Sequence, residues 1–259
     1  MATKKDVQKQ FSRSADSYVK SVVHAKGEDL RTLLKMVDVT GQEEMLDVAT
    51  GGGHTANAFA PLVDKVIAFD LTPKMLSAAK QFITGNGHGN VEFKQGDAEK
   101  MPFTDESFDL VTCRIAPHHF PNVEDFVTEV YRVLKTGGHF LLDDNIAPED
   151  DEFDEFYNTV EKRRDYSHNR ALKKTEWLRT LELNGFEIEE WHRFTKKFEF
   201  DSWCDRMQLP EKEKTELNDL MIDAPESIRR KFRIKADAGK MVSFQAESIL
   251  LKAVKPDLS

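Results

Sequence analysis

Apolar residues recur along this chain with two different periods. Between residues 44 and 145, the short runs MLDVA, VIAFD, VEFKQ, FDLVTC and HFLLDD stand at intervals of roughly 20 to 30 residues and read as strands. Between them, residues 53–60, 73–84 and 123–135 carry apolar positions at helical spacing. Thr72, Pro73 and Gly85 mark the second of these helices as N-cap, first turn and stop. The third has Glu124 and Asp125 in its first turn, where the helix dipole favours an acid, and Gly137 beyond its end. Its apolar side is Phe126, Val127, Val130, Val133 and Leu134. Strand and helix in alternation predict βαβ units. The expected α/β fold is a doubly wound, mostly parallel sheet with helices on both faces and ligands at the carboxyl ends of its strands.

The flanks have other patterns. Leu30, Leu33, Leu34 and Val37 give the stretch 27–37 one apolar face, and the more polar QFSRSADSYVKS precedes it. After residue 145 come an acidic turn, a helix with Phe153, Phe156, Tyr157 and Val160 on one side, and a second helix over 175–184. Residues 186–200 alternate as a long strand, 201–235 read as charged helix, and 241–254 close the chain as a strand. The chain shows no repeat, low-complexity tract or evident linker, so one domain spanning 1–259 is expected.

Composition narrows the function. With 259 residues and 39% apolar content, the chain can bury a sizeable core. A net charge of −9 weighs against wrapping nucleic acid or adsorbing to anionic lipid. Two cysteines, Cys113 and Cys204, make no disulfide framework, and Cys113 lies in an apolar strand as a core residue. The start MATKKDVQKQ lacks an apolar signal, and no run approaches the ~20 residues of a membrane span, so a cytoplasmic protein is expected. The most basic stretch, KRRDYSHNRALKK at 162–174, reads as a solvated helix face or as a contact for an anionic substrate.

The chemistry centres on MLDVATGGGH at 45–54, where a strand ends in Asp47 and breaks into three glycines. Such a turn must fold tightly or approach a ligand closely. Read as G-x-G-x-x-A, Gly51, Gly53 and Ala56 fit a dinucleotide fingerprint with Asp70 about 20 residues on, expected at an exposed strand end. That leaves an NAD-type oxidoreductase open. S-adenosylmethionine needs the same glycine turn and ribose-binding acid. Asp47 favours it, because a carboxylate attracts an ammonium and repels a pyrophosphate.

Further segments decide more. LDVATGGG, VIAFDLTPKML, QGDAEKMPFTDESFDLVTCRIAPHHF and EVYRVLKTGGHFLL occur in this order over residues 44–145. In them the chain resembles the class I S-adenosylmethionine-dependent methyltransferases, particularly the small-molecule branch of UbiE-type quinone-biosynthesis enzymes (methyltransferase type 11). The resemblance implies a Rossmann-like sheet of about seven strands with an antiparallel last strand, an N-terminal helical lid over about 5–37, and helical substrate-side elements over about 150–235. It also implies site roles. Asp47, Gly51 and Gly53 would hold the methionine tail, with Ala49 standing where the family has its first glycine. Asp70 would bind the ribose, Leu71 and Met75 would pack the adenosine, and Asp97 and Ala98 would meet the adenine. Arg114 would line cofactor and substrate, and Phe11 and Tyr18 would cover the cofactor.

The implied acceptor is a small molecule methylated on oxygen, nitrogen or activated carbon, with a nucleic acid or protein acceptor as the alternative. An acceptor that must lose a proton needs a base, for which His118, His119, Asp143 and Asp144 stand at strand carboxyl ends. Neither histidine has metal-ligand spacing, so no metal is expected.

Overall fold

The computed structural model describes residues 2–19 and 27–257, without the side chains of 14–19. Five strands run parallel: β1 (Glu44–Val48), β2 (Lys65–Asp70), β3 (Val91–Gln95), β4 (Phe108–Arg114) and β5 (Leu134–Ile146). β6 (Glu187–Glu199), a short β7 (Lys235–Asp237) and β8 (Lys240–Val254) complete the sheet. The order is β3-β2-β1-β4-β5-β8-β6, with β7 also on β8. β8 enters antiparallel between β5 and β6, as the family resemblance implies.

The apolar runs become strands because they are covered on both sides. Within β1, Met45 and Leu46 point into opposite core clusters, so each of its faces needs an apolar residue. One face packs Leu46, Val111, Phe140 and Leu251 with Phe126, Val130 and Trp177. The other packs Met45, Val66, Leu141 and Leu250 with Leu33, Phe59 and Ile83. β6, at a sheet edge, alternates half-buried and exposed residues along most of its length. Cys113 is fully buried within the first cluster.

The described helices are α1 (Lys4–Val19), α2 (Glu28–Lys35), α3 (His54–Phe59), α4 (Pro73–Gly85), α5 (Val123–Val133), α6 (Asp151–Arg164) and α7 (Lys174–Leu183), followed by α8 (Phe200–Asp205), α9 (Glu211–Ile222) and α10 (Glu226–Lys231). α5 ends at Val133, two residues before the expected stop, because Leu134 and the following residues join β5. The stretch read as helix over 201–235 is three helices and β7. Trp203, Leu217 and Phe232 of this stretch join Tyr157 and Phe244 in a third core cluster under the far half of β8.

The sheet order also locates a crevice. From β1 the chain moves outward to β2 and β3, then returns to lay β4 on the other side of β1. Helices leave these two neighbouring strands in opposite directions, which opens a groove at their carboxyl ends. The residues that follow them directly are Ala49 and Ile115.

Candidate functional site

A cleft of about 1030 Å³, counting space open to solvent, lies at this point. Its polar end begins with the glycine turn. Ala49, Gly51 and Gly53 have φ of 54°, 55° and 81°. Ala49 therefore takes the left-handed backbone that a glycine adopts without strain. Ala49 and Gly51 line the cleft, whereas Gly53 does not. A Cβ on Gly53 would stand 2.9 Å from Ile83 Cδ1 and 3.0 Å from Ala79 Cβ, so this glycine lets α3 start close against α4.

Three acids follow along the cleft. Asp47 is 1% exposed and accepts from the hydroxyls of Thr50 at 2.6 Å and Thr112 at 2.7 Å. Burial pushes its carboxyl up to about 6 despite these bonds. Asp70 accepts from Gly51 N at 2.9 Å and Thr72 N at 2.8 Å, one on each oxygen. It is 8% exposed, which corrects the expectation of an exposed strand end. Burial raises its pKa even so. Asp97 accepts from Glu99 N at 3.0 Å and from Lys4 Nζ at 2.5 Å. Lys4 also lies 2.5 Å from Glu99 Oε2.

Lys4 belongs to α1, and sequence reasoning missed it. Lys4, Val7 and Phe11 recur at helical spacing and all line the cleft. Gln8 Nε2 donates to Leu71 O at 2.9 Å, which ties the same helix to the end of β2. Leu71, Met75 and Ala98 also line the cleft. The side chain of Tyr18 lies outside the described residues.

The other end is largely apolar: Ile115, Ala116, Phe120 and Pro121 with Phe11 and His119. Ile115 has a φ of 54°, and its N donates to Asp143 O at 2.6 Å. A β-branched residue rarely holds this conformation, and it does so here at the cleft wall. Arg114 reaches the cleft, but its guanidinium is held in a buried charge network. It lies 2.9 Å from Asp29 Oδ2 and 3.3 Å from Asp143 Oδ2, with Lys196 Nζ 3.5 Å from Asp29. Burial pushes the Asp143 carboxyl up to about 7, with Asp29 adding to the shift and Lys196 and Arg114 opposing it.

The four candidate bases separate. Asp143 and Asp144 are both fully buried and do not line the cleft. Asp143 faces Arg114, and Asp144 accepts from His118. His118 turns away from the cleft, and His119 lines it. Both stand on a short 3-10 turn, Pro117–His119, directly beyond β4. No signal in the sequence distinguishes these adjacent histidines, because the turn that points them apart is set by Asp144 and Ser167.

Several cations of the basic stretch 162–174 are held by internal partners. Arg164 pairs with Glu161, Arg170 with Asp154 and Glu176, and Lys162 donates to the carbonyls of Tyr166 and His168. Among the described residues there is no group of three or more His, Cys, Asp or Glu able to hold a metal.

The donors of S-adenosylmethionine suit this wall of acceptors. Its ammonium, ribose hydroxyls and adenine amine are all hydrogen-bond donors, and Asp47, Asp70 and Asp97 are all acceptors. A pyrophosphate would meet the buried Asp47 carboxylate instead. The doubly wound fold and this acid-lined switch point define a nucleoside-cofactor enzyme of the α/β class.

Comparison with known proteins makes the class specific. The methyltransferase domain family matches residues 46–142. The chain is 38% identical to the uncharacterized methyltransferase YcgJ of Bacillus subtilis (strain 168) over 246 residues, 95% of this chain and 97% of the relative. The crystal structure of a candidate methyltransferase from Bacillus halodurans C-125 matches with a TM-score of 0.88 and 59% identity, covering 89% of this chain and all of that one. Over 115 residues, 44% of this chain and 46% of the relative, it is 36% identical to demethylmenaquinone methyltransferase of Chlorobaculum parvum. The chain belongs to the S-adenosylmethionine-dependent methyltransferases, and its cofactor is S-adenosylmethionine. This decides against the NAD-type oxidoreductase.

Proposed function

We propose that the protein methylates a small, largely apolar acceptor, with the methyl supplied by S-adenosylmethionine. The observation that carries this is the asymmetry of the cleft. Its acid-lined end suits a cofactor rich in donors, and the end built from Ile115, Ala116, Phe120 and Phe11 suits a flat, apolar partner. Likeness to a demethylmenaquinone methyltransferase over the core supports an acceptor of quinol or phenol type.

In this reading Asp47 holds the ammonium of the cofactor, and Asp70 holds the ribose through lone pairs left over from Gly51 and Thr72. Asp97 and Ala98 meet the adenine, while Arg114 braces the strand end rather than touching the cofactor. The protein's own tasks are alignment, exclusion of water and acceptance of a proton, since a sulfonium already carries a good leaving group. His119 faces the acceptor end and is the base; His118 is not. The chain from 1 to 259 acts as one domain, with α1 and α2 as its N-terminal lid and the helices of 150–235 on the acceptor side. The pairing of β8 with both β5 and β6 supports that unity.

The test is ligand stabilisation followed by turnover. S-adenosylhomocysteine at about 100 times its Kd should stabilise the native state by about 2.7 kcal/mol. For a chain of this size that raises Tm by about 5–10 °C. NAD at equal concentration should not. Transfer of a labelled methyl to a panel of quinols, phenols and amines then identifies the acceptor. No transfer to any of the panel, together with transfer to protein or RNA, would overturn the small-molecule reading.

A further inference from the structure

His118 and His119 are neighbours on one turn, with ring centres 4.2 Å apart. At that distance a charge on one opposes a charge on the other. The surroundings decide which ring carries it. Asp144 is committed to His118 through two atoms: Oδ1 lies 2.5 Å from Nδ1, and Oδ2 accepts from the backbone N at 3.0 Å.

His119 is placed differently. Its Nδ1 lies 3.2 Å from the carbonyl of Ser167. A carbonyl only accepts, so the proton sits on Nδ1 and Nε2 keeps the lone pair. The nearest carboxylate to Nε2 is Asp165 Oδ2, at 4.0 Å. Asp165 is 1% exposed, and that oxygen has no hydrogen-bond partner in the structure. Its other oxygen accepts from Ser167 N at 2.8 Å and Ser167 Oγ at 2.5 Å, which fixes the carboxylate. A buried, oriented oxygen thus stands 4.0 Å from the ring nitrogen that keeps its lone pair.

We propose that the turn is a split acid–base pair in which His118, fixed on Asp144, holds the standing positive charge, His119 takes the proton of the acceptor on Nε2, and Asp165 is the positioning residue for the imidazolium so formed. The inference rests on the methyltransferase reading above and on an acceptor with a proton to lose. In the step, the acceptor O–H or N–H bond breaks and the proton passes to Nε2. The electron pair left on the acceptor forms the bond to the methyl carbon, whose former bond to sulfur breaks with its pair left on sulfur.

The electrostatics agree with the geometry. For His118 burial opposes the charge, but Asp144 outweighs it and the pKa is raised. For His119 burial, followed by repulsion from His118, pulls the pKa down to about 3, against the attraction of Asp165. From α6, Glu161 favours the charge on His118, and Arg164 disfavours a charge on His119. His168, whose ring centre is 5.5 Å from that of His118, donates Nε2–H to Asn158 Oδ1 at 2.9 Å; that oxygen also accepts from Ala171 N. Burial and both neighbouring histidines keep His168 neutral. Paired groups with their pKa values driven apart in this way divide the acid and base roles.

The test is imidazole 15N NMR of the protein bound to S-adenosylhomocysteine. At pH 7 His118 should be protonated on both nitrogens, and His119 should be the neutral Nδ1–H tautomer that titrates only below about pH 5. In Asp144→Asn, His118 should lose its charge and the pKa of His119 should rise by at least about one unit. Methyl transfer should fall about 100-fold or more in His119→Gln and about tenfold in Asp165→Asn, with S-adenosylhomocysteine affinity within about twofold of wild type in both. An Nε2–H tautomer of His119, a neutral His118 at pH 7, or full turnover in His119→Gln would overturn the inference, and the wild-type spectra decide even if Asp144→Asn does not fold. Failure to bind S-adenosylhomocysteine would instead sink the reading beneath it.

Discussion

Lys4 Nζ lies 2.5 Å from Asp97 Oδ2 across the mouth of the cleft, joining the first turn of α1 to the loop after β3. The side chains are 36% and 32% exposed, so this pair by itself is worth at most about 1 kcal/mol. Its importance is its position, because it ties a helix that lines the cleft to the acid assigned to adenine. We expect Lys4→Met to speed dissociation of S-adenosylhomocysteine by up to about fivefold. Lys4→Arg should keep the wild-type rate, and added salt should speed release in the parent but not in Lys4→Met. A chase of labelled ligand measures this. Equal rates in the parent and Lys4→Met would show that α1 does not restrain the ligand.

Asp70→Ala should cost both affinity and stability. The carboxylate holds the amides of Gly51 and Thr72, and its loss leaves two donors without their acceptor in a buried site. The expected loss is about 2–4 kcal/mol in urea unfolding, with binding of S-adenosylhomocysteine weakened at least about tenfold. A variant as stable as the parent would contradict the bonding seen at the glycine turn.

Ala49→Gly should make the apo protein more stable, by about 0.5–1 kcal/mol. Glycine holds a φ of 54° without the Cβ clash that alanine suffers, although it loses more entropy on folding. Affinity for S-adenosylhomocysteine should stay within about twofold. A lower Tm would mean that the methyl of Ala49 contributes packing that outweighs the strain.

Asp47 gives a pH dependence of uncommon sign for a carboxylate. Its folded pKa, about 6, lies above the ordinary 3.8, so its contribution favours folding at pH below about 4 and is lost as pH rises toward 6. Integrated over that window the loss is of order 2–3 kcal/mol. An ammonium placed on the ionised carboxylate reverses the preference. The rise in Tm caused by S-adenosylhomocysteine should therefore grow between pH 5 and pH 7, and Asp47→Asn should flatten this growth. Calorimetric scans with and without ligand check it.

Much of the fold could be read from residue order alone. A parallel strand buried on both faces must be apolar along its length, so β1, β2, β4 and β5 announced themselves, and the amphipathic face of α5 pointed to the sheet it covers. Asp47, the glycine turn and Asp70 were legible for a related reason. They sit where a strand must end and turn, and the chemistry of that turn is local.

What the tertiary structure decided was which groups meet. Lys4 and Asp97 are 93 residues apart in sequence, and His119 and Ser167 are 48 apart; neither meeting has a local signature. The close packing of α3 on α4 at Gly53, where a Cβ would meet Ile83 and Ala79, likewise has no local signature. Arg114 lines the cleft, and the structure also pairs its charge with Asp29 and Asp143, because burial makes an unpaired guanidinium costly. His118 and His119 are chemically identical neighbours in the sequence. Packing against α6, α1 and the end of β5 set them apart, since a side chain's protonation depends on what desolvates it and what charge lies beside it.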